Sequence, residues 1–324
     1  MDGAQHDPLS DDPALTSAVQ ARWPVLAGAS RALVNHSENH TYRFDGPGEA
    51  RHALRLHRPG YQTRAAIVSE LSWLEALSGT DIPVPRPIAG ADGEGLQEVA
   101  PNRFAVLFQF EAGREPAIAD DQTALFRTLG RFAATAHRQV TTWTVPDNFE
   151  RPRWDAAGLL DPASVWGDWR KAPHVEGDVR DVLQALDARL RSVLAEYGDA
   201  ADRFGLIHAD MRLANLLVDG ERTVLLDFDD SGFGWFLYDL AASLSFHETS
   251  PQVPALIRSW FAGYLEVRPL SAADIGMVDT MILLRRMALL AWIGSHGETA
   301  LAKSHADNFA VDTARLAQRY LERD

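Results

Sequence analysis

Apolar and polar positions alternate over short runs in the first third of the chain and then settle into helical spacing. Arg31–Asn35, His40–Phe44 and Ala53–His57 read as β-strands, parted by the turn-rich Ser37-Glu38-Asn39 and Asp45-Gly46-Pro47-Gly48. A short helix is expected over residues 12–23 and a longer one over Thr63–Leu77. The prolines of Ile82–Ile88 keep that run extended, Asp92-Gly93-Glu94-Gly95 reads as a hairpin turn, and Phe104–Phe110 is a continuous apolar strand. Helical spacing follows in Asp120–Val140, Asp178–Glu196, Phe236–Phe246, Val253–Leu265, Ala272–Ser295 and Thr299–Leu321, interrupted by the β-like Asn215–Phe228. The expected class is α+β. A small, mostly-β lobe over residues 1–112 carries one inserted helix, and a larger, mostly-α lobe covers 113–324, with the joint at Glu111-Ala112-Gly113. The irregular stretch 144–177 holds Trp154, Trp166 and Trp169 and is either a functional segment or a packed connector.

Composition narrows the chemistry. The 324 residues include no cysteine, which excludes disulfides, thiolate catalysis and Cys-ligated zinc and agrees with a cytoplasmic location. A net charge of −14 argues against a nucleic-acid partner and favours cations, whether Mg²⁺ or an amine-bearing substrate, although solubility alone explains it equally well. The acidic Met1–Asp12 has no apolar core and does not read as a signal peptide. The most apolar late run, Met281–Gly294, is interrupted by Arg285 and Arg286, so no membrane span is expected.

One constellation carries a reaction. His208-Ala209-Asp210-Met211-Arg212-Leu213-Ala214-Asn215 has the H-x-D-x-x-x-x-N spacing of a kinase catalytic loop. Phosphoryl transfer from ATP needs a carboxylate to orient the acceptor hydroxyl, here Asp210. It also needs oxygen ligands that hold Mg²⁺ on the phosphates. Leu216–Val218 and Thr223–Leu226 read as a hairpin around Asp219-Gly220, in a register that sets Asn215 opposite Leu226. Asp227 then lies beside Asn215 at the open end, and a carboxylate ending an apolar strand needs a compensating cation. Asn215 and Asp227 are the expected metal ligands.

On the Thr63–Leu77 helix, Ile67, Leu74 and Leu77 define one face, and Glu70 falls within it while Glu75 lies off it. Arg55 is the expected partner of Glu70, because Leu54 and Leu56 turn the other way in their strand. The alternative is a glutamate tolerated at the rim of an edge helix.

With these residues in view, the chain resembles the aminoglycoside phosphotransferase and choline kinase superfamily, a protein-kinase-like fold. It is most similar there to the branch of the homoserine kinases and bacterial stress-response Ser/Thr kinases. The likeness rests on Arg55, Glu70, Phe108–Glu111, His208–Asn215, Asp227-Phe228-Asp229 and Gly232–Ala241, and spans about residues 30 to 300. It implies that Asp210 is the catalytic base, that Asn215 and Asp227 bind metal, and that Gln109, Phe110 and Glu111 form a hinge whose backbone holds adenine. It also implies that Ser37 and Asn39 lie in the loop over the phosphates, and that Arg55 and Glu70 form the ion pair that positions them. Two departures stand out. Arginine replaces the family's strand lysine at 55, and Asp229 replaces the glycine of Asp-Phe-Gly, with its own role left open.

The implied function is an ATP- and Mg²⁺-dependent phosphotransferase acting on a small hydroxylated substrate, a metabolite or antibiotic. A protein Ser/Thr kinase is the alternative within the fold. The short interval after Asp227 and the lack of an Ala-Pro-Glu motif leave little room for a peptide platform. A catalytically dead binding module is the alternative from another class, and intact Asp210, Asn215 and Asp227 count against it.

Overall fold

The computed structural model describes residues 7–36, 39–117 and 119–323. In chain order its elements are α1 (Pro8–Asp11), α2 (Pro13–Arg22), β1 (Ser30–His36), β2 (His40–Asp45), β3 (Arg51–Leu56), α3 (Arg64–Ser78), β4 (Pro87–Ile88), β5 (Leu96–Ala100), β6 (Arg103–Gln109) and α4 (Thr123–Val140). There follow β7 (Arg153–Trp154), α5 (Ala156–Leu160), α6 (Gly177–Tyr197), β8 (Phe204–Ile207), β9 (Leu216–Asp219), β10 (Arg222–Leu225), β11 (Gly232–Trp235) and α7 (Tyr238–Ser243). The chain closes with α8 (Val253–Tyr264), α9 (Ala272–Gly276), α10 (Val278–Ser295), α11 (Ala300–His305) and α12 (Phe309–Leu321). Among the described residues no helix is long and apolar enough to cross a membrane.

The chain divides into two compact units. The first takes in the chain up to Arg114 together with Val145–Glu150 and Leu217–Leu226. Its antiparallel sheet runs β1-β2-β3-β6, with β4 and β5 both on β6. Tyr42, Phe44, Leu54, Leu56 and Leu107 project from one face into a core closed by Leu15, Val19 and Trp23 of the N-terminal segment. Because Leu54 and Leu56 are both fully buried on that side, Arg55 emerges from the other. Helix α3 begins at the Thr63 cap, whose hydroxyl accepts from the Ala66 amide at 3.0 Å, and buries Ile67, Glu70, Leu74 and Leu77. The segment 145–150 ties into this helix: the Glu150 amide donates to Ser69 Oγ and its carboxylate accepts from the Thr63 hydroxyl, both at 2.8 Å. The Asp219-Gly220 turn of the β9–β10 hairpin has Gly220 at φ 58°, a conformation glycine adopts without strain. The hairpin rests on the extended proline run through Leu225 N–H to Pro83 O, 2.9 Å.

The second unit comprises Glu115–Thr144, Arg151–Leu216 and the chain from Asp227 onward. Helices α4 and α8 meet backbone to backbone. A Cβ at Gly130 would lie 1.9 Å from Trp260 O, and one at Gly263 would lie 1.8 Å from Arg127 O. A small sheet, β7-β11-β8, ends at the start of the His208–Asn215 segment. Helix α10 is buried on nearly every side from Thr280 to Ala291, which makes its two arginines costly unless each finds an anion.

The elements differ from expectation where local chemistry intervenes. Asp92–Gly95 is not a hairpin turn. It bulges between β4 and β5, which lie in succession along the same edge of β6, opposite Leu107–Phe108 and Arg103–Val106. The expected helix Ala272–Ser295 breaks between Gly276 and Val278, and Thr299–Leu321 breaks over Ala306–Asn308, where Gly276, Asp307 and Asn308 are poor helix formers. The helix expected over Phe236–Phe246 shrinks to Tyr238–Ser243, and Gly232–Trp235 before it is a strand.

Gly263→Ala is expected to force α4 and α8 apart and to destabilise the protein by at least about 1–3 kcal/mol, the usual cost of overpacking. A urea midpoint equal to that of the wild type would contradict the close crossing.

Candidate active site

Two pairings bring the chemical residues of the second unit together. Strand β8 feeds the His208–Asn215 loop, and β11 follows the Asp227–Ser231 loop. Gly232 pairs with Ile207, so the two loops leave the sheet side by side. The His208 and Phe228 rings lie 4.5 Å apart at the junction. The β9–β10 hairpin adds the second constraint, since Asn215 enters it and Asp227 follows its exit.

The His208–Asn215 loop is held by backbone contacts. Ala209 sits at φ 65° and Asp227 at φ 59°, a region that non-glycine residues rarely occupy. The buried carboxylate of Asp239 secures the first: it accepts from Ala209 N–H at 2.8 Å and from His208 N–H at 3.2 Å. His137 completes the arrangement. Its Nε2 donates to Asp239 at 3.0 Å, and its Nδ1 accepts from the Tyr264 hydroxyl at 3.0 Å. Burial pushes the His137 pKa down, against the pull of Asp239, so the imidazole is neutral and works as a spacer between α4, α8 and the loop. His208 likewise serves the backbone, with Nδ1 accepting from Asp210 N–H at 3.2 Å.

Asp210 is 8% exposed and surrounded by donors. Its Oδ2 accepts from Arg212 Nε at 3.0 Å and from Asn215 Nδ2 at 2.7 Å. Its Oδ1 accepts from Nη2 of Arg285, whose other nitrogens donate to Ala209 O at 3.0 Å and Ser245 Oγ at 2.9 Å. Burial alone raises the Asp210 pKa. The guanidinium charges of Arg212 and Arg285, with His208, outweigh it and bring the pKa down to about 2. Asp210 is therefore a permanent anion with one acceptor position left, on Oδ1.

Asn215 has a fixed amide orientation. Nδ2 faces two pure acceptors, Asp210 Oδ2 at 2.7 Å and Asp210 O at 2.8 Å, so Oδ1 is turned away from the Asp210 carboxylate. An amide oxygen and the Asp227 carboxylate are hard oxygen ligands suited to Mg²⁺, which uses one or two carboxylates and completes its shell with water and phosphate. Among the described residues no group of three or more His, Asp or Glu side chains is placed to hold a metal by itself. Asp230, half-buried beside this loop, is pushed well above the usual carboxylate range by burial and by the charges of Asp210, Asp229 and Asp227.

In the first unit, Arg55 Nη1 and Glu70 Oε1 are 2.8 Å apart, with the Glu70 side chain 2% exposed. Of the expected hinge, the Gln109 amide donates to Arg86 O at 3.0 Å and the Phe110 amide to Arg51 O at 3.3 Å. The Glu111 carboxylate pairs with Arg222 at 2.7 Å. Asn39 Oδ1 accepts from Arg58 N–H at 3.3 Å, whereas Ser37 and its neighbour Glu38 lie outside the described residues.

Sequence reading left open what Arg285 does. Two arginines interrupting an apolar helix could pair with buried carboxylates or face substrate, and the sequence does not choose between these. Arg285 pairs with Asp210, and Arg286 pairs with Glu248 at 2.7 Å. The role of Arg212 was also missed, although its place two residues after Asp210 was the available signal.

The fold and the loop together define a kinase-type phosphotransferase with an alcohol group as acceptor. The chain belongs to the APH phosphotransferase enzyme family, whose model matches residues 31–272. It is similar to the solved structure of a microcompartment-associated aminopropanol kinase, with TM-score 0.87 and 38% identity, covering 96% of this chain and 98% of that one. The amicoumacin kinase of Bacillus subtilis (strain 168) is 24% identical over 283 residues, 83% of this chain and 81% of its own length. Stress response kinase A of Escherichia coli (strain K12) is 26% identical over 267 residues, 80% of this chain and 76% of its own.

Asp210→Asn is expected to lower kcat by about 10²–10⁴-fold, the usual contribution of such a group. It should also cost about 3–5 kcal/mol of stability, because Arg285 would be left as a buried unpaired cation. Arg285→Met should lower kcat by about 10²-fold through misplacement of Asp210. The double variant should be more stable than the sum of the two losses, as urea titration of all three proteins will show. Glu70→Ala should cost about 3 kcal/mol by stranding Arg55 and should weaken nucleotide binding in parallel. Unchanged stability and nucleotide affinity in that variant would remove the pair from both roles.

Proposed function

We propose that the chain transfers the γ-phosphoryl group of ATP, with Mg²⁺, to the hydroxyl of a small amino alcohol. The observation that carries this reading is the Asp210 carboxylate, held ionised by two guanidinium groups with a single acceptor position uncommitted. An acceptor hydroxyl donating there would be oriented for attack. In a loose phosphoryl-transfer transition state the proton leaves late, so orientation counts for more than basicity. Asn215 and Asp227 would hold the metal, which when bound screens the phosphate charges.

The first unit would carry the nucleotide-positioning groups. Arg55, fixed by Glu70, would bind phosphate together with Ser37 and Asn39. Because the amides of Gln109 and Phe110 are already engaged, adenine would address the peptide group of Glu111. An ATP donor implies a cytoplasmic reaction.

The amino alcohol class is supported by the 38% identity with an aminopropanol kinase along almost the whole chain. A protein Ser/Thr kinase is the second reading, favoured by the relatives named as stress response kinases. Against it, the residues after Asp227 pass directly into β11 and α7, with no long segment for peptide docking.

The test is γ-labelled ATP with a panel of amino alcohols, the same alcohols lacking the amine, aminoglycosides and generic protein substrates. The expected result is label on an amino alcohol, with kcat/KM at least about tenfold lower for its deaminated analogue, the worth of one good charged contact. Labelling of protein serine or threonine alone would replace this reading with the second.

A further inference from the structure

The Asp227–Ser231 loop is held from its carbonyl side to an unusual degree. Arg151 Nε donates to Ser231 O at 2.5 Å. Its Nη2 donates to Phe228 O at 3.1 Å and also to Asp229 O. The remaining carbonyl, Asp230 O, accepts from Trp154 Nε1 at 2.7 Å. Four successive carbonyls are thus engaged, three of them by one guanidinium. The turn is tight, with Ser231 N–H donating to Phe228 O at 3.0 Å, and Asp227 enters it at φ 59°. A peptide whose oxygen is fixed has a fixed plane, so the turn that follows Asp227 is held in one shape and anchors the residue that enters it.

We infer that Arg151 is a positioning residue for the metal-binding carboxylate of Asp227, setting its direction by gripping the carbonyls of the loop that follows. The inference rests on the reading of Asp227 as a metal ligand. Arginine is required because only a planar fork of donors reaches three carbonyls at once. Lysine would retain the charge and reach one or two. Removing such an outer partner typically costs 10–100-fold in metal affinity.

The test measures metal binding apart from turnover. The affinity of wild-type protein for a non-hydrolysable ATP analogue is measured with and without Mn²⁺, and the ratio reports the metal's contribution. Arg151→Met is expected to reduce that ratio by about 10–100-fold and Arg151→Lys by less, with affinity in the absence of metal unchanged. Amide exchange over residues 228–231 should quicken in both. Arg153→Met, which removes an exposed guanidinium paired with Asp155 and Asp199 and stacked over the Phe204 ring, should change neither quantity. A wild-type ratio in Arg151→Met, with or without faster exchange, overturns the inference. If Arg151→Met does not fold, Arg151→Lys decides by the same ratio. Asp227→Asn separates the two ideas. If it abolishes the metal contribution while Arg151 variants do not, only the positioning role fails. If it leaves the contribution intact, the reading of Asp227 as a ligand fails first.

Discussion

A guanidinium 1% exposed inside an all-round apolar helix is the constraint around which the second unit is organised. Arg285 cannot be buried there as an isolated cation, since the desolvation cost would be several kcal/mol. It meets Asp210, the Ala209 carbonyl and the Ser245 hydroxyl, and its flat face lies 4.8 Å from the Trp166 ring. Each of these contacts sends the constraint outward. The Asp210 contact fixes a buried carboxylate, and the Ala209 contact fixes the strained residue before it. The Trp166 contact gives the irregular stretch 144–177 a packing role: Trp166 packs edge-on against Trp154 at 5.0 Å, and Trp154 reaches the Asp230 carbonyl.

The same loop is gripped from a second direction. The α4–α8 crossing is close because two glycines permit it, and the groups it positions are His137 and Tyr264. Through them a backbone contact between helices reaches Asp239, and through Asp239 the two amides that precede Asp210. A non-glycine residue at φ 65° costs on the order of 1 kcal/mol or more and persists only where its surroundings over-determine it. Here one carboxylate holds its amide and one guanidinium holds its carbonyl.

Local patterns were legible in the sequence, and convergences were not. The H-x-D-x-x-x-x-N run and the Asp-Gly hairpin are short-range features, and turn geometry alone predicted that Asn215 and Asp227 would share an end of the hairpin. Glu70 was legible because a carboxylate on an apolar helix face violates the expected pattern. Arg285 violated it equally, yet its anion lies 75 residues away on a loop whose placement no periodicity encodes. Arg151 was invisible for another reason: its partners are carbonyl oxygens, which every residue carries. Asp92–Gly95 misled because an Asp-Gly pair marks a turn but not which strands the turn joins. The register of β4 and β5 along one edge of β6 is decided by the sheet.

A carboxylate is a weak base to begin with, and here its surroundings bring the pKa down to about 2. That is a defect only if the reaction needs strong proton abstraction. In phosphoryl transfer the attacking oxygen carries little negative charge until the new bond is well formed, so an early-acting base brings little gain. A hydroxyl held in line brings a larger one, because positioning can be worth several powers of ten in effective concentration. Three donors on Asp210 give up basicity and remove its rotational freedom, leaving one direction from which a hydroxyl can donate. The same logic disfavours large acceptors. On the proposed reading, a hydroxyl that must meet one lone pair on a nearly buried oxygen has to sit on a chain thin enough to reach it, and a short amino alcohol would meet that demand more readily than the side chain of a folded protein.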